Sequence, residues 1–218
     1  MNKIVLASAS PRRKELLAQI GCSFEIITSD AEEITQSKIP ENMVDELSLL
    51  KAKDVFLKLP EEKKKESLVI GADTVVSCDE KVLGKPKDKE HAFEMLKLLQ
   101  GRTHYVYTGV TLICGKVSYD RAEGLPVCEK EEAAEEDRKE CQCITFHEAT
   151  AVKVFPMSDE EIWEYIETGE PMDKAGSYGI QASFGAKFIE RIEGDYYNVV
   201  GLPVSRLYHE LKKLNISI

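Results

Sequence analysis

Apolar positions along this chain alternate between short continuous runs and stripes at helical spacing. Lys3-Ile4-Val5-Leu6 is a compact run that predicts a buried strand. Pro11 then fixes a helical φ at a first helical position, with Ser10 ahead of it as N-cap; Leu16, Leu17 and Ile20 form an apolar face that ends at Gly21. Phe24-Glu25-Ile26-Ile27 predicts a second strand, followed by a polar loop. Pro40 opens a longer helix carrying Met43, Val44, Leu47, Leu50 and Val55. The charge run from Glu61 to Glu66 predicts a solvated loop. Leu68 to Val76 is the most apolar segment and predicts a central strand, which turns at Asp79-Glu80 into Lys81-Val82-Leu83.

In the second half, Asp88 caps a helix on which Ala92, Phe93, Leu96 and Leu99 share a face, ended by Gly101. Two long β segments, His104 to Val117 and Cys141 to Phe155, predict a ribbon. Its connection, about residues 119–140, reads as a surface insertion. Ser158 and Glu161 form a capping box for a helix ending near Gly169. The glycine-punctuated stretches 169–181 and 194–203 read as binding loops, and the latter leads into a C-terminal helix with Leu207, Leu211 and Leu214 on one side.

Composition narrows the function classes. The 218 residues are 43% hydrophobic and 31% charged, as in an ordinary globular protein. No apolar run approaches the roughly 20 residues of a membrane span, and the run from Ile4 to Ala7 is far too short for a signal peptide, so a cytoplasmic protein is expected. Six scattered cysteines without a CxxC pattern predict reduced thiols. A net charge of −10 argues against a nucleic-acid polymer or an anionic membrane as partner. Half of that charge lies in residues 119–140, where nine acids face four bases, so cations elsewhere can still build a local anion site.

Candidate chemistry starts at the loop Ala7 to Ser10. Its small residues let the backbone approach a ligand, it opens a helix N-terminus, and Arg12 and Arg13 follow in the first turn, where cations repel the helix dipole unless an anion is near. The arrangement reads either as a phosphate site or as two solvated arginines. Lys51 falls on the apolar side of its helix, where it either snorkels to the surface or meets an anion. Asp73 interrupts the central strand; a buried carboxylate there is either paired with backbone amides or has a chemical role. Lys85, in the stiff Gly84-Lys85-Pro86, is another candidate phosphate cation. Cys141, Cys143 and His147 share a strand face with Cys128 in the connection, but the spacing matches no usual zinc pattern.

Six motifs in order, Leu6-Ala7-Ser8-x-Ser10-Pro11-Arg12-Arg13, Gly71-Ala72-Asp73-Thr74, Gly84-Lys85-Pro86, Thr108-Gly109-Val110, Asp173-Lys174-Ala175-Gly176-x-Tyr178-Gly179-Ile180-Gln181 and Val199-Val200-Gly201-Leu202-Pro203, resemble the Maf family of nucleoside triphosphate pyrophosphatases. The resemblance implies a single domain over 1–218 with an α/β fold: a mixed, curved sheet flanked by helices, in two lobes with a central cleft, often as a homodimer. It implies Asp73 as general base, Arg12, Lys51 and Lys85 as triphosphate contacts with Ser8 and Arg13 in the same substrate-binding loop, and Glu33 with Asp73 holding a divalent cation, Mg²⁺ or Mn²⁺. The pairing of Ala72-Asp73-Thr74 with Tyr178-Gly179-Ile180-Gln181 resembles the branch acting on dTTP and UTP, where Arg12, Thr74 and Gln181 are tied to the choice of pyrimidine nucleotide. Glutamine has both donor and acceptor for the imide edge of uracil or thymine. Two departures stand out: Ala182 occupies a usual glycine position, and the acidic connection is long. The implied activity is hydrolysis to the monophosphate and pyrophosphate. A nucleotide-binding regulator of septum formation is the alternative, and Lys51, Asp73 and Lys85 together favour the enzyme.

Overall fold

The structure, a computed structural model, describes residues 3–79, 81–115, 118–119, 126–127, 141–216 and 218. In chain order the elements are β1 (Lys3–Leu6), α1 (Pro11–Gln19), β2 (Phe24–Ile26), α2 (Pro40–Lys58), α3 (Glu61–Lys64), β3 (Ser67–Cys78), β4 (Lys81–Leu83), α4 (Lys89–Leu99), β5 (Thr103–Gly115), β6 (Ser118–Tyr119), β7 (Pro126–Val127), β8 (Cys141–Val154), α5 (Asp159–Glu167), α6 (Ser183–Phe188), β9 (Ile189–Glu193), α7 (Tyr196–Val200) and α8 (Val204–Lys213). A seven-stranded mixed sheet runs β2-β1-β3-β5-β8-β9, with β4 beside the outer half of β3. Strand β1 is parallel to β2 and β3, while β3, β5, β8 and β9 pair antiparallel in sequence. The pair β6 and β7 stands apart from this sheet. The remainder of the acidic connection, with Cys128, lies outside the described residues.

Alternate residues of the three long strands build two cores end to end on one sheet face. Leu68, Ile70 and Ala72 of β3 and Val110 and Leu112 of β5 pack with Leu16 and Leu17 of α1 and Leu207 and Leu211 of α8. Further along the same strands, Val76, Cys78 and Val106 pack with Leu96 and Leu99 of α4, Ile162 and Ile166 of α5, and Phe184 of α6. These cores correspond to the two expected lobes. Helix α2 covers the opposite face with Ala52, Val55 and Phe56.

Glycine governs how α2 sits. A Cβ on Gly109 would overlap the Val44 carbonyl, and one on Gly71 would overlap the Ser48 carbonyl and lie 2.7 Å from Ala52 N. Both positions sit inside strands, where glycine marks a close backbone approach. The hydroxyls of Ser48 and Thr111, both fully buried, then meet at 2.8 Å.

Several sequence expectations need correction. Residues Glu61–Lys64 form a helical turn, although an exposed one, because Pro60 pre-sets its start. The 194–203 stretch holds helix α7, capped by the Asp195 side chain, which accepts from Tyr197 N at 2.8 Å. The 169–181 stretch contains short 3-10 turns at Glu170–Asp173 and Ala175–Ser177. Ser10 occupies the N-cap position of α1, but its side chain makes no capping bond; its own N–H donates to Ser8 Oγ at 3.3 Å. The caps at Asp88 and Ser158 are formed as expected.

Two predictions concern stability. His104 is fully buried, and desolvation lowers its pKa from 6.5 to about 4. Between those values the unfolded chain binds a proton that the folded chain does not, so stability falls as pH drops from about 6.5 to about 4, by on the order of 3 kcal/mol. Denaturant melts across that range are expected to show wild type losing that much more stability than His104→Gln; parallel losses would contradict it. Gly109→Ala is expected to destabilise by about 1–3 kcal/mol, because α2 must lift from the sheet. Urea melts measure this, and a neutral result would show that α2 yields freely.

Candidate active site

The cleft opens where β1 has ended and β3 continues. Ala7 N donates to Ile70 O at 2.8 Å, the last rung between those strands. From there the chain turns through Ser8 to Ser10 into α1, leaving the middle of β3, between its β1 and β4 partners, open along one edge to a cavity of about 920 Å³. Such a volume suits a nucleotide-sized ligand. All nine residues singled out from the sequence line it: Ser8, Arg12, Arg13, Glu33, Lys51, Asp73, Thr74, Lys85 and Gln181. Lys174 and Asp173 line it too, which sequence reasoning placed in a motif without a role. Five cations against three carboxylates make this wall net positive on an acidic protein.

Asp73 forms the floor. It pairs with Gly109 across β3 and β5, is 8% exposed, and accepts from Lys51 Nζ at Oδ1, 2.6 Å away. Lys51 Nζ also lies 3.0 Å from Glu33 Oε1. The lysine on the apolar side of α2 therefore meets anions, two carboxylates of the protein itself. Glu33 belongs to the loop after β2, which is tied down where Ser29 Oγ donates to Asp54 at 2.8 Å and Lys58 holds Asp54 and Asp30.

The two arginines of α1 divide their work. Arg13 turns inward: Nη1 donates to Ser8 Oγ at 3.1 Å, Nη2 to Thr74 Oγ1 at 3.0 Å and Nε to Gly201 O at 2.9 Å. Burial pulls its pKa below the ordinary value, opposed by the charge of Asp73. Arg13 thus serves as a strap between loop, central strand and the α7 end. Arg12 stays half-buried at the cleft edge, and its Nη1 reaches Asp173 Oδ2 at 3.0 Å. Burial alone would raise the Asp173 pKa, but hydrogen bonds from Lys174 and Arg12 hold it below the usual carboxylate value. The anion that cations at this helix start require is here an internal carboxylate from the far side of the cleft.

Lys85 is exposed at the mouth, in a loop anchored where Gly176 N donates to Gly84 O at 3.0 Å. Gln181 is exposed on a turn just before α6. Ala182, the departure from glycine, sits at the N-cap of α6 with φ −89°, a backbone that needs no glycine. Chemically, the cleft offers cations for a polyphosphate, a shielded carboxylate on the floor, and an amide at the rim. Among the described residues, no group of three or more His, Cys, Asp or Glu could hold a metal ion alone, and no helix is long and apolar enough to cross a membrane.

A family model described as Maf-like protein matches residues 3–214. A dTTP/UTP pyrophosphatase of Lachnoclostridium phytofermentans is 45% identical over 218 residues, covering 100% of this chain and 98% of the relative. One of Thermoanaerobacter pseudethanolicus is 47% identical, covering 97% and 96%, and one of Bacillus anthracis is 44% identical, covering 100% and 98%. With a matching model over nearly its whole length and relatives alike from end to end, the chain belongs to the Maf family.

Proposed function

We propose that this chain hydrolyses dTTP and UTP to the nucleoside monophosphate and pyrophosphate. The observation that carries the reading is Asp73, a shielded carboxylate in the middle of the central strand, facing a cleft whose other charges are mainly cationic. The full-length relatives named for that activity support it. A triphosphate entering the cleft meets Arg12, Lys51 and Lys85, and each cation at ~4 Å contributes about 4 kcal/mol at an effective dielectric near 20, before desolvation. It takes the place of Asp173 on Arg12. Lys51 engages Oδ1 of Asp73, so the proton of an attacking water goes to Oδ2. Attack at the α-phosphorus places negative charge on the departing pyrophosphate, which Arg12 and Lys85 offset. Gln181 and Thr74 are assigned to choice of base.

A divalent cation, Mg²⁺ or Mn²⁺, belongs to the same proposal. Glu33 and Asp73, each within 3.0 Å of the Lys51 ammonium, set two hard oxygen donors close together in the cleft. That suits Mg²⁺, which takes one or two carboxylates and completes its shell with phosphate and water. When bound, such an ion supplies Lewis-acid stabilisation of the phosphate charge. A homodimer, implied by the family resemblance, a cytoplasmic location, and one domain whose acidic insertion at 119–140 would repel a triphosphate and is dispensable complete the proposal.

Two experiments test it. In a panel of nucleoside triphosphates with Mg²⁺ or Mn²⁺, dTTP and UTP are expected to be cleaved far faster than ATP or GTP, with pyrophosphate as first product and loss of activity under chelation. Preference for 7-methyl-GTP, or orthophosphate appearing first, would contradict the reading. Asp73→Asn is expected to fold and bind dTTP while turnover falls by about 10²–10⁴-fold. Near-normal turnover would remove Asp73 from the chemistry.

A further inference from the structure

The turn bearing Gln181 is held from behind by groups that the reaction itself does not use. Gly179 N donates to Tyr165 Oη at 3.3 Å, a bond from α5 into the loop. Ala182 N donates to Gly179 O at 3.2 Å, closing a turn with Ile180 and Gln181 at its centre. One residue earlier, Tyr178 Oη and His104 Nε2 stand 2.7 Å apart. Tyr165, Tyr178 and His104 are 4%, 5% and 0% exposed, so these anchors belong to the interior. Both tyrosine rings pack on Phe184, with centroids 5.1 and 5.0 Å away. Gly179 itself lies against the Lys174 side chain, where a Cβ would come 2.7 Å from Cε.

Gln181, by contrast, is exposed. An exposed amide selects a base edge only if the backbone beneath it presents donor and acceptor in fixed directions. We propose that Tyr165 and the Tyr178–His104 pair are positioning residues for pyrimidine selection, fixing the Gly179–Ala182 turn from which Gln181 reads the base. The proposal rests on the assignment of Gln181 to base choice made above. Neither hydroxyl has to touch the nucleotide. Burial raises the pKa of both tyrosines and lowers that of His104 to about 4, so the anchors stay neutral and keep one hydrogen-bond pattern through the physiological range.

The test is Tyr165→Phe, which removes one acceptor and leaves the ring packing. kcat and KM are measured with UTP and with CTP, whose amino group replaces a carbonyl that glutamine would recognise. The expected result is a UTP KM about fivefold higher with kcat nearly unchanged and CTP unaffected. The UTP/CTP ratio of kcat/KM then falls about fivefold, equivalent to about 1 kcal/mol at 1.4 kcal/mol per decade. Hydrogen exchange at the Gly179 amide is expected to speed up, and Tyr178→Phe to shift the ratio in the same direction. Trp163→Phe is the control: this partly buried residue of the same helix stacks on Phe93 at 4.9 Å and is expected to leave the ratio unchanged. An intact ratio in both tyrosine variants, whatever their melting temperatures, overturns the proposal. A wild-type enzyme without preference for UTP over CTP overturns the Gln181 assignment first and this proposal with it; the wild-type ratio tells the two failures apart. Should Tyr165→Phe not fold, Tyr178→Phe carries the same comparison.

Discussion

Helix α2 lies so close to strands β3 and β5 that two of the strand residues facing it have no side chain. Gly71 accommodates the backbone of Ser48 and Ala52, and Gly109 that of Val44 and Asp45. This approach carries Lys51 to within 2.6 Å of Asp73, across the sheet face the helix covers. The Ser48–Thr111 bond continues to Thr145 at 2.9 Å, so the helix is fixed by hydroxyls in its middle as well as by apolar contacts further along. A carboxylate inside a central strand is costly alone. Here it is compensated by an ammonium that only a closely seated helix can deliver. Backbone contact, strand register and site electrostatics are therefore one constraint.

On the other sheet face a polar seam separates the two cores. Ser8 joins Arg13, Arg13 joins Thr74, and Thr74 meets Thr108 at 3.0 Å. Thr108 then donates to Asn198 O, and Asn198 Nδ2 donates to Thr150 Oγ1 at 2.9 Å. Each member is wholly or largely buried, so the network is stable only while its members satisfy one another. The cleft sits at the strap end of this seam. The loop that opens α1, the strand that carries Asp73 and the segment ending at Gly201 are thereby held in register, although they lie far apart in the chain.

Much of this was legible beforehand, and the reasons are local. Pro11, Pro40, Asp88 and the Ser158–Glu161 box announce helices through groups that act within one turn, and the long apolar runs announce the strands. The residues lining the cleft were legible through motifs whose order matches a known family. What stayed hidden depends on partners distant in sequence. The strap made by Arg13 shows only once Gly201 O and Thr74, far from it in the chain, are seen on its guanidinium. Asp173 reads as loop polarity until Arg12 reaches it. The helical turn Tyr196–Val200 was masked by glycines at 194 and 201, both at positive φ, which bound the turn rather than prevent it. The glycines inside β3 and β5 carried a readable signal, a gap in a packed face, that was absorbed into motifs instead of being read as a helix seat.

The account stands on where water attacks, because Asp73 on one side and Arg12 and Lys85 on the other are assigned to opposite ends of one bond-breaking event. The most direct measurement is hydrolysis of UTP in ¹⁸O-labelled water, followed by mass spectrometry of both products. The account predicts label in the phosphate of UMP and none in pyrophosphate. Label in pyrophosphate, or in released orthophosphate, would put the attack on another phosphorus and contradict the placement of Asp73 as base.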